Sequence, residues 1–364
     1  MKHEQQALQV ALGRRSYPIH FDGLARMHEH RLEDRVVLVV ADSTTSQYGH
    51  LVEAGLGRAR AKGTFVFPAG ESSKTLATAV EICQAALRLG CGRDALFIAL
   101  GGGVTGDLTG FAASIYMRGV EFWQVPTSLL AMVDSSVGGK TGVDLPDGKN
   151  LLGTFHQPSA VFMETAFLQT LPPGHVAAGM AEVIKYGVAL DGEFFACLER
   201  GPGFAAILDE RDFLLHVIRE SCRLKAEIVT QDELESRGTV RELLNFGHTF
   251  GHAFELLSGY RLGHGQAVAW GMTAASRLAV RLGLWSETEA SRLQALLVKY
   301  HLGREHCTCP GLGSEAVLQA MRRDKKNRSG RIRLVLPRGI GRASVAEGVE
   351  EDVLLASIQE VLHD

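Results

Sequence analysis

The stretch RELLNFGHTFGH (241–252) places Arg241, Asn245, His248 and His252 at i, i+4, i+7 and i+11. At ~100° per residue these side chains fall within an arc of roughly 60° on one face of a helix. Leu243, Phe246, Phe250, Ala253 and Leu257 gather on the opposite face. A solvated helix face is usually filled with Lys and Glu pairs. A stripe of Arg, Asn and two His fits a surface or a site equally, and partners elsewhere in the chain must decide. AEVIKYG (181–187) puts Glu182 and Lys185 at i, i+3 on one helical face, and LGHGQAV (262–268) puts His264 at a helix start. Glu182, His248 and His264 would together form a two-histidine, one-carboxylate set for zinc or a similar divalent ion. Three protein ligands leave open the positions that catalysis needs. His248 and His252, at i, i+4, are an alternative pair for one ion, and spacing alone does not separate the two arrangements.

A second set of residues points to phosphate. Gly101, Gly103 and Gly106 satisfy G-x-G-x-x-G between a strand and a helix, where backbone N–H groups can approach a pyrophosphate. The turn does not lie in the first strand–helix unit, where the common dinucleotide fingerprint sits. Asp42 ends an earlier strand and could accept hydrogen bonds from a ribose or a nearby group. SSVGGKTG (135–142) invites a phosphate-loop reading but fails it, because Asp134 stands where the pattern needs its first glycine. What remains is a glycine-rich loop with Lys140, followed by DGKN with Lys149 and Asn150, which suits phosphate binding.

The elements that must position these residues change in kind along the chain. VVLVVAD (36–42), TFVFPAG (64–70), ALFIALGGG (95–103) and EFWQVPTS (121–128) read as strands. TLATAVEICQAALRLG (75–90) and DLTGFAASIYM (107–117) read as helices between them, so a doubly wound, mostly parallel sheet is expected. From about 176 to 325 long helical periods dominate, with IRLVLP (332–337) as a late strand. The expected organisation is a Rossmann-like α/β domain over 1–174 and a mostly α-helical domain over 175–364. A cleft between two such domains is a favoured ligand site.

Bulk properties narrow the function classes. The 364 residues are 46% hydrophobic and 22% charged with a net charge of −3, so nothing favours nucleic acid or an anionic membrane surface. No apolar run approaches the ~18 residues of a membrane span, and the first twenty residues lack the apolar stretch of a secretory signal. Cys83, Cys91, Cys197, Cys222, Cys307 and Cys309 match no disulfide or zinc-knuckle spacing. A reducing cytoplasm is the expected compartment.

Long ordered motifs then carry a family resemblance over nearly the whole chain. They are RRSYPI, PAGESSKT, GGGVTGDLTGFAASIYMRG, QVPTSLLAMVDSSVGGKTGV, GKNLLGTFHQP, AGMAEVIKYG, LKAEIVTQDELE, LLNFGHTFGHAFE, LGHGQAVAWGM and MRRDKKN. The chain resembles 3-dehydroquinate synthase, a sugar-phosphate cyclase family. The resemblance implies a phosphate-eliminating carbon–oxygen lyase of the shikimate pathway, acting on 3-deoxy-D-arabino-heptulosonate 7-phosphate. The implied course is transient oxidation by NAD+, phosphate elimination, reduction, ring opening and aldol closure to 3-dehydroquinate. A homodimer using NAD+ and one divalent ion, zinc or cobalt, with a small phosphorylated sugar acid as its partner, is likewise implied.

Residue by residue, the resemblance makes Glu182, His248 and His264 the metal ligands and frees His252 for substrate. It places NAD+ at Asp42, Glu71, Lys74, Gly102, Gly103, Val104, Asp107, Thr127, Ser128, Asp134, Lys149, Phe167 and Thr170. It assigns the substrate phosphate to Lys140, Asn150, Asn245, His252, Lys325 or Lys326, and Arg118, and the carboxylate to Lys225 and Arg241. Asp134, Lys185 and Glu235 fall near the metal and the reacting alcohol. The sequence departs from the usual pattern at Gly174 and His175, at Ser128, and in ESRGTVREL (235–243), which is two residues longer than usual. Lys225, Arg241 and His252 argue for a carboxylated substrate, against inosose- and valiolone-forming cyclases. The alternatives are a cyclase of the amino-dehydroquinate type and a metal-dependent alcohol dehydrogenase, which would release NADH. A non-catalytic nucleotide-binding module would have lost metal ligands or cationic residues.

Overall fold

A computed structural model describes residues 7–57, 59–146, 148–236, 238, 240–304, 311–323 and 332–363. Lys325, Lys326, Cys307 and Cys309 lie outside the described residues. The chain divides into two compact units: Met1–Leu171 with Lys225–Leu234, and Pro172–Leu224 with Glu235–Asp364.

The first unit is built on a seven-stranded sheet. In chain order its elements are β1 (Ala7–Val10), β2 (Tyr17–His20), β3 (Val36–Asp42), α1 (Gly49–Gly55), β4 (Ala61–Phe67), α2 (Leu76–Leu89), β5 (Leu96–Gly101), α3 (Gly103–Ile115), β6 (Glu121–Pro126), β7 (Lys140–Leu145), β8 (Gly148–Phe155) and β9 (Ala160–Phe162). The strand order is β1-β2-β9-β6-β5-β3-β4, parallel throughout except for β1 against β2. β3 and β5 are buried along almost their whole length. Such continuous apolar runs, without alternation, belong to a parallel sheet covered on both faces. Val36, Leu38, Val40, Phe97 and Phe122 meet Ile82 and Ala86 of α2 and Leu108 and Phe111 of α3 in one core. Thr75 caps α2 by accepting the Thr78 N–H at 3.1 Å, and Gly90, at φ +80°, ends it.

One expectation is corrected in this unit. The glycine-rich segment carrying Lys140, Lys149 and Asn150 is not a loop but the antiparallel pair β7–β8. Its glycines serve close approach, since a Cβ on Gly142 would stand 2.7 Å from the Leu152 carbonyl oxygen.

The second unit holds α4 (Pro173–Ala189), α5 (Gly192–Arg200), α6 (Arg211–Gln231, of which Lys225 onward belongs to the first unit), α7 (His248–Leu257), α8 (His264–Arg281), α9 (Glu287–Lys299), α10 (Ser314–Arg322), the antiparallel pair β10 (Arg333–Gly339) and β11 (Arg342–Glu347), and α11 (Glu351–His363). Here the single helix expected over 241–252 is overturned. Arg241–Asn245 forms a short 3-10 turn, the chain breaks at Phe246, and α7 starts afresh at His248. Gly247 at φ +80° makes the break, and its missing side chain lets it press on Met272 Cγ and the Val268 carbonyl oxygen, at 2.6 and 2.8 Å from an added Cβ. Arg241 and Asn245 therefore do not share a helical face with His248 and His252. Among the described residues, no helix is long and apolar enough to cross a membrane.

Candidate active site

Three helices of the second unit bring three candidate ligands together. α4 is buried over most of its length and carries Glu182, fully buried, in its middle. α8 opens on His264, and the next residue, Gly265, lies against Ala178, one turn before Glu182 on α4. α7 opens on His248 and packs closely on α8: a Cβ on Gly251 would stand 2.9 Å from the Ala267 carbonyl oxygen, and one on Gly271 would overlap the Gly247 backbone. Glycines thus let the backbones approach where the ligands must converge.

The result is a tight donor set. One ligand atom from each of Glu182, His248 and His264 lies within 4.8 Å of the other two. Nε2 of His248 and Nε2 of His264 each stand 3.5 Å from Glu182 Oε1. The outer edge of each ring is anchored. His248 Nδ1 faces the Phe246 carbonyl oxygen at 3.2 Å, and His264 Nδ1 faces Glu255 Oε2 at 3.2 Å. Each anchor takes an Nδ1–H and leaves an Nε2 lone pair turned inward, which is how metal-binding imidazoles are held. Burial opposes a proton on His264, but hydrogen bonds to Glu182 and Glu255 and the charge of both outweigh it and raise its pKa to about 9. Donor types, spacing and second-layer anchors therefore fit a divalent ion. His252 lies beside the set, its ring 5.4 Å from that of His248 and 6.3 Å from that of His264. Lys185, also buried, bonds to Glu182 Oε2 and lies 4.6 Å over the Tyr186 ring.

In the first unit the cofactor candidates cluster at the carboxyl ends of the parallel strands. After β3 the chain moves to β4 on one side, and after β5 to β6 on the other. The reversal between β3 and β5 is a topological switch point, the usual ligand crevice of such sheets. Asp42 ends β3 and Gly102-Gly103-Val104 opens α3 after β5. Asp42 Oδ1 accepts the Thr44 and Thr45 N–H groups at 2.8 and 3.0 Å, and Oδ2 accepts the Thr105 hydroxyl at 3.1 Å. Gly102, as N-cap, has no side chain to satisfy the first-turn N–H groups of α3, and a Cβ on Gly103 would stand 3.2 Å from Ser135 Oγ. Thr127, just after β6, donates its N–H to the Gly101 carbonyl at 3.0 Å, and the Ser128 hydroxyl accepts the Ala131 N–H at 3.2 Å. An open helix start with side-chain-free backbone at a switch point fits a pyrophosphate.

Other candidates form pairs. The Lys74 ammonium donates to Asp107 Oδ2 and Asn150 Oδ1, both at 2.6 Å. Burial would lower the Lys74 pKa, but the charge and hydrogen bond of Asp107 outweigh it and raise it. Lys225 donates to both Asp134 Oδ1 and the Asp134 carbonyl oxygen at 2.6 Å. Lys149 lies 3.6 Å from Glu71. The Phe167 and Tyr48 rings lie tilted at 47° with centroids 4.8 Å apart, and the Tyr48 hydroxyl bonds to Thr170. Lys140 and Arg118 are exposed. In the second unit Arg241 is buried and Asn245 half-buried, and Glu235 holds φ +55°. The longer segment after Glu235 is tied down by Arg333, which donates to the Gly238 carbonyl at 3.2 Å and to Glu242 at 2.8 Å.

Four partners were not anticipated: Thr105, Tyr48, Arg333 and Glu255. Glu255 carried a signal, because it lies seven residues after His248 and so extends the same polar stripe by two turns. Tyr48 and Arg333 are joined to the site only by the fold.

An α/β unit with an open glycine turn at its switch point, in one chain with a helical unit bearing a Glu/His/His seat, is an architecture fit for a sugar-phosphate cyclase. Residues 64–178 match the 3-dehydroquinate synthase N-terminal family and residues 179–327 the 3-dehydroquinate synthase C-terminal family. The chain is 50% identical over 342 residues to the 3-dehydroquinate synthase of Xanthomonas axonopodis pv. citri (strain 306), covering 91% of this chain and 90% of that one. Among solved structures, it is similar to a 2-deoxy-scyllo-inosose synthase complexed with carbaglucose-6-phosphate, NAD+ and Co2+, with a TM-score of 0.87, 26% identity, and 97% and 99% of the two chains covered. It is also similar to the 2-epi-5-epi-valiolone synthase of Streptomyces hygroscopicus subsp. jinggangensis 5008 with NAD+ and Zn2+ bound, with a TM-score of 0.85, 31% identity, and 94% and 95% covered. The chain belongs to the 3-dehydroquinate synthase family.

Proposed function

We infer that the chain carries out the reaction of its family, converting 3-deoxy-D-arabino-heptulosonate 7-phosphate to 3-dehydroquinate and phosphate in aromatic biosynthesis. The observation that carries this reading is the convergence of Glu182, His248 and His264, with both imidazoles anchored at Nδ1. NAD+ and a divalent ion, zinc or cobalt, supply a returnable hydride acceptor and a Lewis acid when bound. Both cofactors accompany solved relatives of this fold.

The chain's own residues do the rest. In the second unit Glu182, His248 and His264 hold the ion, and Lys185 places a buried ammonium beside Glu182 to stabilise alkoxide charge. Arg241 binds the substrate carboxylate, His252 and Asn245 its phosphate, and Glu235 lies near the reacting alcohol. In the first unit Gly102, Gly103 and Val104 receive the pyrophosphate. Asp42, Glu71, Lys74, Asp107, Thr127, Ser128, Asp134, Lys149, Phe167 and Thr170 line the remainder of the nucleotide site. Lys140, Asn150 and Arg118 of this unit bind phosphate, and Lys225, oriented by Asp134, binds carboxylate. Lys325 or Lys326 completes the phosphate set. Cations dominate these assignments because the substrate is a trianion, and charge-assisted bonds hold it in a reactive geometry. We assign the nucleotide-holding part to residues 1–174 together with Lys225–Leu234, and the metal-holding part to the remainder of 175–364. Cys83, Cys91 and Cys197 carry thiols outside any disulfide, which supports a reducing cytoplasm as the compartment. The assembly assigned is a homodimer, to be read by sedimentation.

The test is incubation with the heptulosonate phosphate, NAD+ and zinc, following phosphate and dehydroquinate together. Equal release of both products with catalytic NAD+ is expected. NADH accumulating in step with substrate loss would instead mark an alcohol dehydrogenase, and preference for the amino analogue would mark the amino-dehydroquinate type.

A further inference from the structure

We propose that Glu255 is a positioning residue for the metal centre, holding His264 in the one ring orientation and tautomer that can ligate. This rests on the metal-holding reading above and adds a residue to it. Glu255 is buried on α7, near the end of the helix that begins with His248. Its Oε2 lies 3.2 Å from His264 Nδ1, while the far nitrogen of the same ring is 3.5 Å from Glu182 Oε1. An imidazole gripped by a carboxylate at each edge cannot turn without breaking one contact. A carboxylate that takes Nδ1–H also leaves the lone pair on Nε2 and makes that nitrogen a better donor.

Glu255 is itself fixed. Its carbonyl oxygen accepts the Ser258 hydroxyl at 2.8 Å and the Tyr260 N–H at 3.0 Å, and the Ser258 hydroxyl accepts the Leu262 N–H at 3.2 Å. One residue therefore organises the turn leading into α8 and orients the histidine that opens it. His248 contrasts with His264, because its Nδ1 anchor is a backbone carbonyl that no substitution of Phe246 removes. At Nδ1, His264 is held by a side chain and His248 by the main chain.

The test measures zinc affinity by competition with a chromophoric chelator, together with the visible spectrum of the Co2+ form. Glu255→Gln keeps the shape and removes the charge, and a 10–100-fold loss of zinc affinity with an altered Co2+ spectrum is expected. Glu255→Asp keeps the charge on a shorter arm, and it should bind zinc more tightly than Glu255→Gln although Gln is the closer match in shape. A purely structural role predicts the opposite order, and that order overturns the proposal, as does parental affinity and spectrum in Glu255→Gln. Should Glu255→Gln fail to fold, Glu255→Ala takes its place, parental zinc affinity and Co2+ spectrum in it again overturning the proposal. Glu182→Gln separates the two levels of inference: if it binds zinc as the parent does, the metal reading itself falls and takes this proposal with it.

Discussion

Gly265 sits against Ala178: a Cβ built on Gly265 would stand 2.7 Å from the Ala178 Cβ and 2.8 Å from its carbonyl oxygen. The contact seats the start of α8 on α4 one turn before Glu182, so it sets the reach of His264. Gly265→Ala should cost about 1–3 kcal/mol through overpacking and weaken zinc binding at the same time. Gly263→Ala, where an added Cβ meets nothing within 4 Å, is the control. Urea midpoints and zinc titrations on both variants check this, and equal midpoints would remove the contact from the account.

Arg241 is assigned to the substrate carboxylate, and its burial strengthens a charge-assisted bond. Arg241→Ala is expected to lose roughly 1.5–3 kcal/mol of substrate interaction, read as a lower kcat/KM. Zinc affinity should stay at the parental value, because Arg241 belongs to the 3-10 turn and not to α7. Unaltered steady-state parameters would reject the role.

Chelator dialysis should abolish product formation, and zinc or cobalt should restore it. Full turnover after the ion has been shown by mass spectrometry to be absent would defeat the metal assignment.

Burial of His20 should make the stability of the first unit pH-dependent. His20 is buried, both ring nitrogens lack a hydrogen-bond partner, and the ring stacks on Phe162 at 4.9 Å. Burial first, then the charges of Arg26 and His30, lower its pKa to about 4 despite opposition from Glu29. An unfolded histidine titrates near 6.5, so this group's contribution is fully present above that pH and is lost as pH falls towards 4. His20→Phe should flatten the fall in urea midpoint across that window. A slope identical to that of the parent would show that His20 is not responsible.

What the sequence made legible follows from where the signals are local. Buried strands such as Val36–Asp42 show as unbroken apolar runs, and the helix Leu76–Leu89 shows its Thr and Gly ends. β1, β2 and β9 are three or four residues long, too short to build a period. β7 and β8 were hidden because the glycines that permit their close pairing also signal a loop. The Glu/His/His set was visible as residue types, since each ligand sits in its own helical stretch. The break at Gly247 was not, because only the packing of α8 demands it. The four-residue stripe fits one ideal helix by spacing, and the chain instead divides it between a 3-10 turn and α7.

The glycine contacts among α4, α7 and α8 carry a last consequence. They assign the distances between Glu182, His248 and His264 to main-chain packing, which is complete once the helices have docked. Biosynthesis of the polypeptide and delivery of its ion can then be separate events, and one cation can be exchanged for another of similar size without the chain having to fold again.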